Sequence, residues 1–402
     1  MPKALFLSLP LHGHTNPTLP VVRALVERGD EVTYYSAAAF ALKVEEAGAL
    51  YRPYRNAFLA NISNLPERLE ELSWILMRTT GDLLAQELDA FRAERPDYII
   101  TDSVAPWGHW VGEILRVPVV TSVSTFAINR HVLKYALKHG ARPKSARRVW
   151  SKLKHIAKAI ALGRRLRREH GVKGPGITGL VFGRSDLNIV YTSRDFQPCA
   201  ETFDERFEFV GPSLAPRPDA PPLPAPEGSN DPLVPLIYVS LGTLFNDAPE
   251  FFKACFAAFR DEPVRVIMSI GTNVAGPALG APPPNFVVQP FVAQLDVLER
   301  ASVFLTHGGM NSVSESLYHG VPVVVVPQMS EQAMIGHRAE ELGAGICLTT
   351  DQTTPEHLRA SVNRLRGDGR FRRQAAVLGQ SLRTAGGAAR AADVIQAFVK
   401  GR

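Results

Sequence analysis

Short runs of aliphatic and β-branched residues alternate with longer stretches of helical period, and the alternation occurs twice. Ala4–Pro10, Glu31–Ser36, Tyr98–Asp102 and Val117–Ser122 form the first series, with helical patterns at Thr18–Arg28 and in the Leu65–Arg92 region. The second runs through Leu236–Leu241, Val264–Ile270, Asn285–Phe291, Val303–Thr306 and Val321–Pro327. Strands apolar on both faces and separated by helices are what a parallel sheet covered on both sides requires. Between the series lies Pro212–Pro235, which holds nine of the 31 prolines and reads as a semi-rigid linker. The pattern predicts an α/β protein of two doubly wound domains rather than one large sheet. The expected boundaries are 1–211, a linker at 212–235, a second domain at 236–380 and a C-terminal helical segment at 381–402. That last segment could pack on either domain.

The composition excludes other classes. At 402 residues with 45% hydrophobic and 21% charged residues, the chain is neither disordered nor fibrous. Cys199, Cys255 and Cys347 are widely spaced, as in a reducing compartment. The apolar start is interrupted by Gly13, His14 and Pro17, unlike a signal peptide. No run approaches the ~18 apolar residues that a membrane span needs, so a cytoplasmic location is expected, with a monomer as the default. The net charge of +6 is unevenly spread. Lys138–Lys173 carries 13 Lys and Arg against one acid, Glu169. That segment reads as a solvated basic helix face or as a weak contact with an anionic membrane surface. Nucleic acid is not expected, since few aromatics accompany the charges.

In open α/β sheets, ligands bind beyond the carboxyl ends of the strands. His14 follows the first strand in the loop His12-Gly13-His14-Thr15-Asn16-Pro17, and Asp102 ends the Tyr98–Asp102 strand at the same edge. A histidine suits proton transfer near neutral pH, and a carboxylate beside it can orient the ring. A loop histidine and a helix-capping aspartate are the simpler readings of each alone. In the second half, Val303–Thr306 runs into His307-Gly308-Gly309-Met310-Asn311-Ser312, then a helix through Glu315 to His319, with Gly320 as its C-terminal stop. Glycines at a strand-to-helix turn let backbone N–H groups approach an anion, and the helix dipole favours negative charge there. Asn311 and Ser312 add donors, and Glu315 lies where ribose hydroxyls could be bound. Ser240, Gly242 and Thr243 form another small donor-rich turn. Phe291, Val292 and Gln294 place an aromatic where a base could stack, and Glu331 and Gln332 follow the next strand. Together these features describe a nucleotide-sugar pocket. The absence of a D-x-D pair argues against a carboxylate-bound metal on the diphosphate.

These motifs resemble the family-one UDP-dependent glycosyltransferases, above all bacterial macrolide and flavonoid glycosyltransferases. The likeness spans the chain and is strongest from Phe291 to Gln332, with the His12–Pro17 loop and Phe203–Gly211 in agreement. It implies a GT-B architecture, two Rossmann-like domains facing a cleft, and inverting, metal-independent transfer with no cofactor beyond a UDP-sugar co-substrate. It further implies His14 as base and Asp102 as its partner. His307, Gly309, Asn311 and Ser312 would take the diphosphate, Glu315 the ribose, and Glu331 and Gln332 a sugar expected to be glucose. Phe291 stands where many relatives have tryptophan, and Ala293 replaces a common proline. The acceptor, a hydrophobic hydroxylated small molecule, would meet variable first-domain loops, with Phe58, Trp74, Phe126 and Tyr135 as candidate walls. A nucleotide-sugar epimerase of the same architecture and a noncatalytic sugar-nucleotide or membrane-surface binding protein are the alternatives.

Overall fold

A computed structural model of the chain describes residues 1–62, 69–139, 149–173, 185–215, 234–242, 248–272 and 279–401. Thr243, most of the proline-rich linker and part of the basic segment lie outside these residues. The chain divides into two compact bodies. The first comprises the described residues of Met1–Lys134, Arg142–Leu214 and Ala385–Arg402. The second comprises those of Tyr135–Ala141 and Ala215–Thr384.

The first body contains strands β1 (Lys3–Leu7), β2 (Glu31–Ser36), β3 (Leu50–Pro53), β4 (Tyr98–Asp102), β5 (Val119–Val123), β6 (Leu187–Val190) and β7 (Phe207–Phe209). They form one sheet in the order β3-β2-β1-β4-β5-β6-β7, every pairing parallel. Successive side chains of β1 serve opposite faces. Ala4 and Phe6 join one buried cluster with Val21, Val22 and Leu25, while Leu5 and Leu7 join another with Trp107, Trp110 and Phe91. Both faces are covered, as the unbroken apolar strands predict.

The second body contains β8 (Leu236–Ser240), β9 (Arg265–Ser269), β10 (Phe286–Gln289), β11 (Ala301–Thr306), β12 (Val323–Val325) and β13 (Gly345–Cys347). Its parallel sheet has the order β10-β9-β8-β11-β12-β13. The two sheets share a winding rule. Each chain runs outward from its first strand, then returns to pair the fourth strand on that strand's other side. The β1/β4 and β8/β11 junctions are therefore switch points, where connections leave in opposite directions and open a crevice at the carboxyl ends.

The helix Gly387–Lys400 packs on the first body. Ala391, Ala392 and Ile395 are buried with Val21 and Leu25, and Arg28 pairs with Asp393 at 2.8 Å. Four strands, β3, β6, β7 and β13, have no counterpart in the sequence reading. They are three or four residues long and, unlike the equally short β10 and β12, are not embedded in a longer apolar run.

Candidate active site

The first switch point holds an imidazole and a carboxylate. β1 is followed by one helical turn, His12–Thr15, where a simple loop was expected. It brings His14 Nδ1 to 2.8 Å from Asp102 Oδ2, while Asp102 Oδ1 accepts the Val104 N–H at 2.7 Å. Asp102 is only 2% exposed, whereas a fifth of the His14 side chain reaches solvent. A carboxylate only accepts, so Nδ1 carries the proton toward Asp102, and in the neutral ring Nε2 keeps its lone pair. Ser124, just beyond β5, places Oγ 3.0 Å from the same Nδ1. Sequence reasoning missed Ser124, because nothing local marks a buried serine as a neighbour of a histidine 110 positions away.

The second switch point is built from hydroxyls and glycines. Ser240 and Thr306 end β8 and β11 side by side in register. The Ser240 hydroxyl accepts the Gly242 N–H and the Thr306 hydroxyl the Gly308 N–H, each at 3.3 Å. Each strand end thus pins the turn that leaves it. Gly242 (φ +77°) and Gly308 (φ +91°) occupy the left-handed region that side chains disfavour. The His307 ring lies between two glycines: a Cβ on Gly242 would stand 2.6 Å from its Cε1, and one on Gly309 2.5 Å from its Nε2. Burial drives the His307 pKa down to about 4 against a hydrogen bond with the Ser240 backbone. The ring is therefore neutral at physiological pH, and its one N–H is held by the Ser240 backbone. Gly309 caps the helix Met310–Tyr318, whose first turn carries Asn311 and Ser312.

One turn further on, Glu315 is 2% exposed and accepts the Gln294 amide at 2.6 Å. The Tyr238 hydroxyl donates to Gln294 Oε1 at 3.0 Å. Gln294 is thereby held to a carboxylate rather than turned toward a base. Phe291 is 47% exposed, so one face remains free to stack, and Val292 is half-buried beside it. Glu331 is exposed at the start of the helix Ser330–Glu341. Gln332, expected to contact sugar hydroxyls, also has a structural role. Its Oε1 accepts the backbone N–H groups of Gln328 and Met329, at 2.8 and 3.1 Å, and holds the preceding loop.

The expected acceptor walls separate. Phe58 and Trp74 line a common cavity of about 540 Å³ on the first body. Phe126 is fully buried against Phe196, with ring centroids 5.5 Å apart, and forms core rather than pocket. Tyr135 groups with the second body. An apolar loop sequence alone does not separate a pocket wall from a side chain that completes the core.

Comparison with known proteins places this geometry. The family model for the erythromycin biosynthesis protein CIII-like C-terminal domain matches residues 258–394. The NDP-glycosyltransferase YjiC of Bacillus licheniformis is 35% identical, covering 98% of this chain and 96% of its own. The demethyllactenocin mycarosyltransferase of Streptomyces fradiae is 34% identical, over 98% and 86% respectively. Among solved structures, CalG4, the calicheamicin glycosyltransferase, matches with a TM-score of 0.82 at 32% identity, covering 100% of this chain and 98% of that one. With two doubly wound parallel sheets and this depth of likeness along the whole chain, the protein is an enzyme of the bacterial family-one glycosyltransferases, of GT-B fold.

Proposed function

We propose that the enzyme moves a sugar, with glucose as the expected one, from a UDP-sugar to a hydroxyl of a hydrophobic natural-product acceptor, with inversion and without a metal. The observation that carries this reading is the His14–Asp102 pair at 2.8 Å, which leaves Nε2 of a partly exposed imidazole as a base. Nε2 takes the acceptor's hydroxyl proton as its oxygen forms a bond to the anomeric carbon. The bond from that carbon to the diphosphate oxygen breaks, and its electron pair leaves with UDP. In-line attack inverts the anomeric centre. General base catalysis of this kind contributes ~10²–10⁴-fold.

Charge on the departing diphosphate is met by the N–H groups opening the helix Met310–Tyr318 and by the Asn311 and Ser312 side chains, with the His307 ring walling the same turn. Glu315 binds the ribose and Phe291 stacks on the base. Glu331 contacts sugar hydroxyls, and Gln332 fixes the loop that presents it. The relatives named for demethyllactenocin and calicheamicin support an acceptor of natural-product type.

Incubation with UDP-glucose and a polyphenol, followed by mass spectrometry, tests the proposal. The expected product gains one hexosyl unit in the β configuration, and EDTA leaves the rate unchanged. Free sugar without acceptor modification, or activity lost to EDTA and restored by magnesium, would overturn it.

A further inference from the structure

The helices Leu69–Gln86 and Val149–His170 meet through glycines. A Cβ on Gly81 would stand 3.7 Å from Leu166, and one on Gly163 3.7 Å from Met77. Ala159, Gly163 and Leu166 are buried in this seam, which occupies the apolar side of the basic helix and leaves Lys158, Arg164, Arg165 and Arg168 exposed. The aliphatic face that a lipid contact would need is thus largely spent on packing.

Two hollows open around Trp74. One, of about 540 Å³, includes Arg55, Phe58, Trp74 and Arg78 in its walls. The other, of about 500 Å³, shares Trp74, Arg78 and Asp82 and adds Leu162 and Arg165. Lys158 Nζ lies 5.7 Å from the centre of the Trp74 ring. Arg55 and Phe58 follow β3, at the same edge of the parallel sheet as His14. Two of the basic side chains have local counter-charges: Asp82 is 3.8 Å from Arg78 and Glu169 3.3 Å from Arg165, while Glu87 accepts the backbone N–H of Arg55 at 3.0 Å. Among the described residues, no carboxylate lies within ion-pair distance of Lys158. The Arg78 and Arg165 pairs are solvent-exposed, so each is weak and can yield to a ligand carboxylate.

We infer that these hollows bind an aromatic acceptor bearing a carboxylate, its ring against Trp74 and Phe58 and its charge toward Arg78, Arg165 and Lys158. The inference rests on the acceptor reading above and narrows it to anionic aromatics, whose ring and charge match an aromatic wall rimmed by cations.

The test compares 6-hydroxy-2-naphthoic acid with its methyl ester by calorimetry on the full chain, with UDP binding as the check of folding. The acid is expected to bind about fivefold or more tighter than the ester at low salt. The double variant Arg78→Gln/Arg165→Gln should weaken the acid about tenfold and the ester less than twofold, while Asp82→Asn strengthens the acid. Equal affinity for acid and ester, or a preference that survives the double variant, overturns the inference. So does sedimentation with phosphatidylglycerol vesicles that depends on Arg165 while the acid gains nothing from it. Tight, arginine-dependent acid binding without transfer from UDP-glucose would leave this site standing and sink the transfer reading instead.

Discussion

Gln294 donates its side-chain amide to Glu315 across 2.6 Å, and Tyr238 in turn donates to Gln294 across 3.0 Å. One buried carboxylate is thereby positioned through two neutral side chains. Glu315→Ala should weaken UDP binding by roughly 1.5–3 kcal/mol, the range for hydrogen bonds to a charged group. Tyr238→Phe removes only the far end of the chain and should cost ~1 kcal/mol or less. Calorimetric titration with UDP distinguishes the two, and equal losses would move the effect from ribose contact to packing.

His14→Ala should lower kcat by ~10²–10⁴-fold and leave the UDP affinity nearly unchanged. Asp102→Asn should cost less, because it disturbs the tautomer rather than removing the base. Ser124→Ala should cost least of the three, since Asp102 still holds Nδ1 from 2.8 Å. Steady-state rates with saturating UDP-sugar check the order; a His14→Ala enzyme as fast as the parent would remove the mechanism.

Much of this arrangement is legible in the sequence because the chemistry follows the strand ends. Glu31–Ser36 and Tyr98–Asp102 read identically in sequence and structure, since a strand buried on both faces shows as an apolar run bounded by turn residues. His14, Asp102 and His307 fall at or just beyond the carboxyl ends of such runs. What escapes is set by contacts distant along the chain. Gly387–Lys400 has an apolar stripe that fits either body, and only the cluster with Val21 and Leu25 decides between them. Phe126 and Gln332 look like site residues by position. Phe196 marks Phe126 as core, and the backbone N–H groups of Gln328 and Met329 give the Gln332 carbonyl a loop-holding role that position alone does not show.

Gly242→Ala tests whether the His307 ring must lie against bare backbone. The new methyl would stand 2.6 Å from Cε1, and φ of +77° adds a left-handed strain of ~1–2 kcal/mol. The ring is expected to shift, weakening UDP binding about tenfold or more, while the circular dichroism spectrum stays unchanged. Undiminished UDP affinity would mean that the imidazole does not reach the diphosphate.

Stability should fall on mild acidification, with the sign set by two histidines. Burial lowers the pKa of His109 and of His307 to about 4. In the unfolded chain both imidazoles protonate near ~6.5. Between these values the unfolded state binds more protons, so their contribution favours unfolding progressively as pH falls from ~6.5 toward 4 and vanishes above ~7. Each histidine costs at most ~3 kcal/mol across that window, less where solvent reaches the ring. His109 is the better probe, because it sits between Trp107 and Trp110, both fully buried, and all four tryptophans belong to the first body. Tryptophan fluorescence therefore follows the unfolding of that body alone. Its urea midpoint should drop between pH 7 and pH 5, and His109→Gln should shrink the drop, since glutamine can still hydrogen-bond Thr121 and Ser185 but takes up no proton. A variant that loses as much stability as the parent over the same interval would assign the acid sensitivity elsewhere.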